Sequence, residues 1–279
     1  MTDVAQAFVP GHVTGFFTIE RADDPTKAGS RGAGVTLADG VTVTVRDAGE
    51  RGVFLDGEPV EMEAVSRVLD ALDANVQVRA TSDLPLGAGF GISGAVALGT
   101  ALGTNELLER ALSESELVTI AHGADVQAGT GLGDVVAQAR GGMPLRLEPG
   151  GPHENVMDGI PARPRIEYLT RGELSTADVL TSAGDRLSEA GDAALSRVVR
   201  EPTVAEFMHA SRRFSREADL LTDELRETIE AVSDAGGQAA MAMLGETVFA
   251  VGTGLSDAGY EPAVCRTHPG GATLEEPIA

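Results

Sequence analysis

Apolar positions along the chain recur with two periods. Alternation marks residues 41–45 (V-T-V-T-V), 53–55 and 76–81 (V-Q-V-R-A-T) as strands with one buried face. A Gly49–Gly52 turn between the first two predicts a hairpin. Shorter runs at 144–147, 166–169 and 248–251 are further strand candidates. The helical period appears at 61–72, where Val65, Leu69 and Leu72 share a face. It returns in a run of small apolar residues ending near Leu102, and at 204–218 and 222–235, the last stopped by Gly236-Gly237. Ser113 with Glu116 predicts a capping box opening a helix striped by Leu117, Ile120, Ala121 and Ala124. Strands and helices intermix throughout, which predicts an α+β architecture of two fused lobes. The Pro- and Gly-bearing stretch 149–164 divides it into residues 1–148 and 149–279.

Composition narrows the function. The 279 residues suffice for a sizeable core, but aromatics are only 4% and Trp is absent, so that core must be aliphatic. Forty-three acids against 21 cations give a net charge of -22, and Lys27 is the only lysine. The acids are dispersed, a pattern that fits adaptation to molar salt, where the Debye length falls to about 3 Å and self-repulsion is screened. Basic stripes are absent, so nucleic acid and anionic membrane surfaces are poor partners. Cys265 is alone, excluding an internal disulfide and a cysteine-rich metal site. No apolar run reaches membrane-spanning length and the first residues carry no signal-peptide pattern, so a cytoplasmic location is expected.

The sharpest motif is Pro85-Leu86-Gly87-Ala88-Gly89-Phe90-Gly91-Ile92-Ser93-Gly94-Ala95, set between a predicted strand and a predicted helix. Alternate glycines let the backbone curl and expose its N–H groups, and the helix start adds free donors and positive dipole. Such a loop cradles phosphate. Gly89 to Gly94 also fits G-x-G-x-x-G, with Glu109 twenty residues on, but the six-residue stretch Ser82 to Gly87 intervenes after the strand, and Glu109 sits in a helix-like segment. A Walker A loop needs Gly-Lys-Ser/Thr, and Lys27 precedes Ala28. A purely structural glycine loop is the remaining alternative.

The loop resembles the ATP-phosphate loop of the GHMP kinases, approximately P-x-G-x-G-L-G-S-S-A-A, with Phe90, Ile92 and Gly94 as departures. Gly129-Thr130-Gly131-Leu132-Gly133-Asp134, trailed by Gly141-Gly142, resembles the second family signature, and residues 8–17 (F-V-P-G-H-V-T-G-F-F) the first, with His12 where many relatives carry Lys. Residues 29–34 (G-S-R-G-A-G) and 243–249 resemble the archaeal branch that phosphorylates pantoate. A third glycine motif is weak, represented only by Gly236-Gly237 and the run to Gly245.

The resemblance implies a two-lobed fold, with a ribosomal-protein-S5-domain-2-like N-terminal lobe and an α/β C-terminal lobe. It implies ATP and Mg²⁺, phosphates held by Pro85, Gly87, Ala88, Gly89, Gly91, Ser93, Gly94 and Ala95, and Mg²⁺ held by Ser93 and Asp125. Asp134 would orient or accept the alcohol proton. Pantoate is the implied acceptor, with mevalonate, phosphomevalonate or homoserine as alternatives, and a non-catalytic sensor as the reading suggested by the weak third motif. An acid acceptor needs a cation. Arg146, His122, His12 and Arg31 are the candidates, with Ser30 as a further substrate contact, and Arg146 suits best because guanidinium binds carboxylate bidentately. Homodimer formation is left open.

Overall fold

The computed structural model of the chain describes residues 4–172 and 184–276. Two long strands, β1 (Val4–Phe17) and β2 (Gly32–Arg46), pair antiparallel and form the spine. Beyond β2 lie β5 (Gln77–Ser82), then β3 (Gly52–Leu55) and β4 (Glu58–Pro59). The expected 41–55 hairpin does not form. β5 inserts antiparallel beside β2, and β3 joins the far side of β5 in parallel register, Val53 opposite Val78. This placement lets the alternating apolar sets of β2 and β5 share one covered face.

β6 (Met143–Glu148) adds to the start of β2, setting Arg146 opposite Gly32, and continues into β7 (Val156–Ile160). The 148/149 division therefore falls within the β6–β7 connection, and β7 still belongs to the first sheet. A second sheet runs β11 (Ala263–Arg266), β8 (Arg165–Gly172), β10 (Glu246–Val251), β9 (Gln238–Ala242).

Helix α1 (Glu63–Ala71) buries Val65, Val68 and Leu69 as its period requires. α2 (Ile92–Leu107) is apolar on nearly every side and lies directly on β2. A Cβ at Gly99 would fall 2.8 Å from Val43 Cβ, and one at Gly103 would fall 2.7 Å from Val45 Cγ2. Small residues thus substitute for the missing aromatics by letting helix and sheet backbones approach. A larger side chain there would overpack the core, at a cost of about 1–3 kcal/mol. α3 (Glu114–Ala128) has the predicted capping box, and ends at Gly129 with φ 69°. The short α4 (Asp134–Arg140) follows.

In the second half, α5 (Gly184–Arg200), α6 (Val204–Glu217), α7 (Asp223–Asp234) and α8 (Gly254–Asp257) accompany the second sheet. The halves are stitched together. Met243 N–H donates to Thr14 O (2.9 Å), His268 N–H to Thr36 O (2.9 Å), and β12 (Thr273–Glu275) pairs with residues 6–8 of β1. Among the described residues, no helix is long and apolar enough to cross a membrane.

Candidate active site

The glycine loop curls between β5 and α2 with φ of 76°, 88° and 66° at Gly87, Gly89 and Gly91, conformations that favour glycine. A cavity of about 180 Å³ opens in front of it, bounded by the loop, Thr14, Thr130, Asp134 and Leu244. Gly87, Gly89, Gly91, Ser93 and Gly94 line this cavity. The N–H groups of Gly89, Gly91, Ser93 and Gly94 meet no backbone acceptor among the described residues, so the cradle's donors are free.

Three predicted loop residues stand elsewhere. Pro85 is exposed outside the cavity. Ala88 turns inward, its carbonyl accepting from Thr247 Oγ1 at 2.8 Å. Ala95 N–H is already donated to Gly91 O at 3.0 Å.

The second half braces this loop. A Cβ at Gly89 would lie 3.0 Å from Met243 O, and Phe90 meets Tyr168 edge-on at 5.0 Å between centroids. The weak third motif thus sits against the phosphate loop through backbone and Thr247, which is why its side-chain pattern carries so little signal. Gln138, which no motif singles out, is fully buried and donates from Nε2 to Gly91 O at 3.0 Å. It stands one turn after Asp134 on α4, and that i, i+4 spacing is its only signal in the sequence.

Asp134 opens α4 with its side chain 18% exposed at the cavity. Its Oδ1 lies 2.7 Å from His12 Nδ1. Burial alone would push its carboxyl up, but the His12 hydrogen bond and the nearby charge of Arg146 outweigh that and hold it below the ordinary carboxylate range. His12 is fully buried, and burial drives its imidazole below the usual histidine value. Neutral pH therefore leaves Asp134 ionised and His12 neutral, with Nδ1–H donating to the carboxylate. The His12 ring is sealed behind Asp134, with Nδ1 facing that carboxylate.

Behind the loop, Asp125 is 2% exposed between Gly94 and Gly131, where a Cβ at Gly94 would fall 3.2 Å from Oδ2. Thr130 Oγ1 donates to its Oδ1 at 2.6 Å, and Ser93 Oγ donates to Thr130 Oγ1 at 3.1 Å. Burial raises the Asp125 carboxyl to about 7, partly opposed by the Thr130 hydrogen bond and reinforced by Asp134. No group of three or more His, Cys, Asp or Glu side chains able to hold a metal occurs among the described residues. Asp125, Ser93 and Thr130 offer hard oxygens only, a set that fits Mg²⁺ completed by phosphate oxygens and water.

Arg146, on β6, is 1% exposed, and its Nε and Nη1 have no hydrogen-bond partner. Burial lowers its guanidinium to about 10, partly opposed by Asp134, so it stays cationic at neutral pH. Ser30 is buried, and a Cβ placed on Gly133 would lie 2.6 Å from both Ser30 Oγ and Arg146 Nε. His122 is buried beside them, with Nε2–H donated to Ala28 O at 2.8 Å, and burial keeps it neutral. His122 supports the loop carrying Gly29 and Ser30, and its bonded Nε2 is not free for an acceptor. Arg31 points away: its guanidinium meets Glu20 Oε1 at 3.0 Å and Asp192 Oδ1 at 2.5 Å, bracing the β1–β2 connection to α5. Both side chains thus engage protein partners, His122 through Nε2 and Arg31 through its guanidinium.

A glycine cradle with open N–H donors and an ionised aspartate at one cavity are the parts of a small-molecule kinase of the GHMP fold. The family model "GHMP kinases N terminal domain" matches residues 61–142. The pantoate kinase of Methanospirillum hungatei is 36% identical over 255 residues, covering 88% of this chain and 86% of its own. That of Methanocaldococcus jannaschii is 32% identical over 251 residues, covering 88% and 91%. A solved structure of a phosphotransferase related to the coenzyme A biosynthesis pathway superposes with a TM-score of 0.86 at 30% identity, covering 98% of both chains. The chain belongs to the pantoate kinase family.

Proposed function

We propose that this chain transfers the γ-phosphoryl group of ATP to an alcohol oxygen of pantoate, giving ADP and 4-phosphopantoate for coenzyme A synthesis in the cytoplasm. The observation that carries this reading is Arg146, a buried cation with two unpartnered nitrogens, Nε and Nη1, next to Asp134. A buried charge left unpaired is costly, and a small acid acceptor supplies the missing partner. The carboxylate then fixes the acceptor with its hydroxyl towards Asp134.

Phosphoryl transfer demands position and charge neutralisation more than covalent chemistry. The open N–H groups from Gly87 to Gly94 hold the phosphates. Asp125, Ser93 and Thr130 would hold Mg²⁺, which supplies charge neutralisation at the phosphate oxygens. Asp134 receives the hydroxyl proton as the acceptor oxygen bonds to phosphorus and the bond to the ADP oxygen breaks. His12 keeps Asp134 in place and ionised. Residues 1–148 thus carry the reacting groups, and 149–279 brace the phosphate loop. The -22 charge serves stability in concentrated salt.

The test is ADP release with ATP, Mg²⁺ and a panel of pantoate, mevalonate, phosphomevalonate and homoserine. Pantoate should support a kcat/KM at least about a hundredfold above the others. Equal or greater turnover of another alcohol would overturn the assignment.

A further inference from the structure

Gly91 is where the phosphate loop touches the helix that carries Asp134. A Cβ on Gly91 would fall 3.1 Å from Asp134 Cβ, from Asp134 Oδ1 and from Gln138 Nε2. Two carbonyls at this contact are held in place. Phe90 O accepts the His12 backbone N–H at 3.0 Å, and the His12 ring in turn meets the Asp134 carboxylate. Gly91 O accepts from Gln138 Nε2 at 3.0 Å, one turn beyond Asp134 on α4.

The Gln138 bond adds little to folding. Gly91 O already accepts the Ala95 N–H of α2 at 3.0 Å, so that carbonyl is satisfied without the amide. Gln138 itself is fully buried, and its Oε1 has no hydrogen-bond partner. An unsatisfied buried polar atom costs at least as much as one neutral hydrogen bond contributes, so the two offset. An apolar side chain of similar length would fill the same space. What the amide alone provides is a fixed link between the loop and α4.

We propose that Gln138 is a positioning residue for phosphoryl transfer: it clamps the Gly91 carbonyl to α4 and so sets the distance between the phosphate cradle and the Asp134 carboxylate. The inference rests on the reading of Asp134 as the group that receives the acceptor's proton. Gln138 does not line the cavity, so it acts through Asp134, by keeping the acceptor oxygen in line with a phosphate that the loop holds. A misplacement of about 1 Å is enough to slow a reaction by around a hundredfold.

The test is Gln138→Met, alone and combined with Asp134→Asn, assayed with pantoate and MgATP. Gln138→Met should lower kcat by about ten- to a hundredfold, with KM for each substrate within about threefold of the wild type. Its melting temperature should equal or exceed that of the wild type, because the orphaned Oε1 is gone. A purely structural amide would do the reverse, lowering the melting temperature and leaving kcat in place, and that result overturns the proposal. In the Asp134→Asn background the same substitution should slow the residual rate by less than about twofold, since residues that act as a unit are not additive. Losses that multiply would mean that Gln138 acts independently of Asp134, which also overturns it. Gln138→Leu removes the amide with a different side-chain shape and should repeat the pattern. Failure of both variants to fold would show the amide to be needed for stability, and the proposal falls with that. An Asp134→Asn variant that keeps the wild-type rate overturns instead the reading of Asp134 on which the inference rests.

Discussion

Asp125 and Arg146 are both buried ionisable groups that feel the charge of Asp134, yet the fold provides for them differently. Asp125 has hydroxyl partners in Thr130 and, through it, Ser93. It can also shed its charge, since its carboxyl titrates at about 7. Arg146 has no acceptor on Nε or Nη1 and remains charged until about pH 10. The depression from 12.5 to about 10 corresponds to a folding penalty of about 3 kcal/mol. Asp125 can therefore lose its charge by protonation near neutral pH, and Arg146 has no such relief. In the proposed reaction a substrate carboxylate at Arg146 would relieve an existing cost, whereas a metal at Asp125 would compete with a proton.

The comparison turns on Asp134, which both charges address. Asp134→Asn should lower kcat by about 10²- to 10⁴-fold, the usual contribution of a positioned base. Binding of an ATP analogue should persist, because a group acting in the transition state adds little to ground-state affinity. A variant keeping most of its rate would reduce Asp134 to the first residue of a short helix.

Arg146→Met probes the anion-seeking side. KM for pantoate should rise at least about tenfold, equivalent to about 1.4 kcal/mol, with KM for ATP unchanged. The same variant should melt at a higher temperature, since it removes an uncompensated buried charge. The sign follows from linkage: below pH 10 the folded protein holds the arginine proton at a disadvantage to the unfolded chain. The wild-type deficit against the variant should be constant from pH 7 to about 9 and shrink above 10. A variant that melts lower at every pH would mean that Arg146 is already paired.

Asp125→Asn probes the cation-seeking side. The Mg²⁺ concentration giving half-maximal rate should rise at least about fivefold, while KM for pantoate stays within about twofold. If both rise together, the two niches are not separate functions. The smallest effect concerns the whole surface. Raising KCl from 0.1 M to 2 M should increase the melting temperature by several degrees, because screening weakens repulsion among 43 acids. A flat response would leave the charge balance without a stabilising role.

Much of the fold could be read from periodicity, and where it could not, the reason is physical. The helices at 61–72, 204–218 and 222–235 and the capping box at Ser113 appear within a few residues of their expected bounds. β1 gave no alternating signal because from Val9 onward it is buried on both faces. α4 has seven residues, too few to display a helical period. The failed hairpin reflects a non-local choice: β3 looked adjacent to β2 in sequence, but β5 competes better for that edge.

In the site, the glycine loop and Asp134 were legible because their chemistry is local. The fates of the arginines were not. Arg31 and Arg146 look alike in sequence, yet one is spent on Glu20 and Asp192 while the other has no carboxylate partner among the described residues. Only tertiary packing distinguishes them. The inward turn of His12 likewise depends on Asp134, more than a hundred positions away.

The stitching of the halves bears on how the protein is made. The outer edge of β1 is covered near one end by Met243 and at the other by residues 273–275. β1 and β2 have both left the ribosome once residue 46 is followed by a tunnel's length of chain. The strand that covers residues 6–8 is synthesised 229 residues later, 275 less 46. At about 5–20 residues per second, that is a wait of roughly 10–45 s with a long β-edge unpaired. An open edge recruits other strands, including those of neighbouring nascent chains. This interval is when the growing polypeptide has most need of a chaperone.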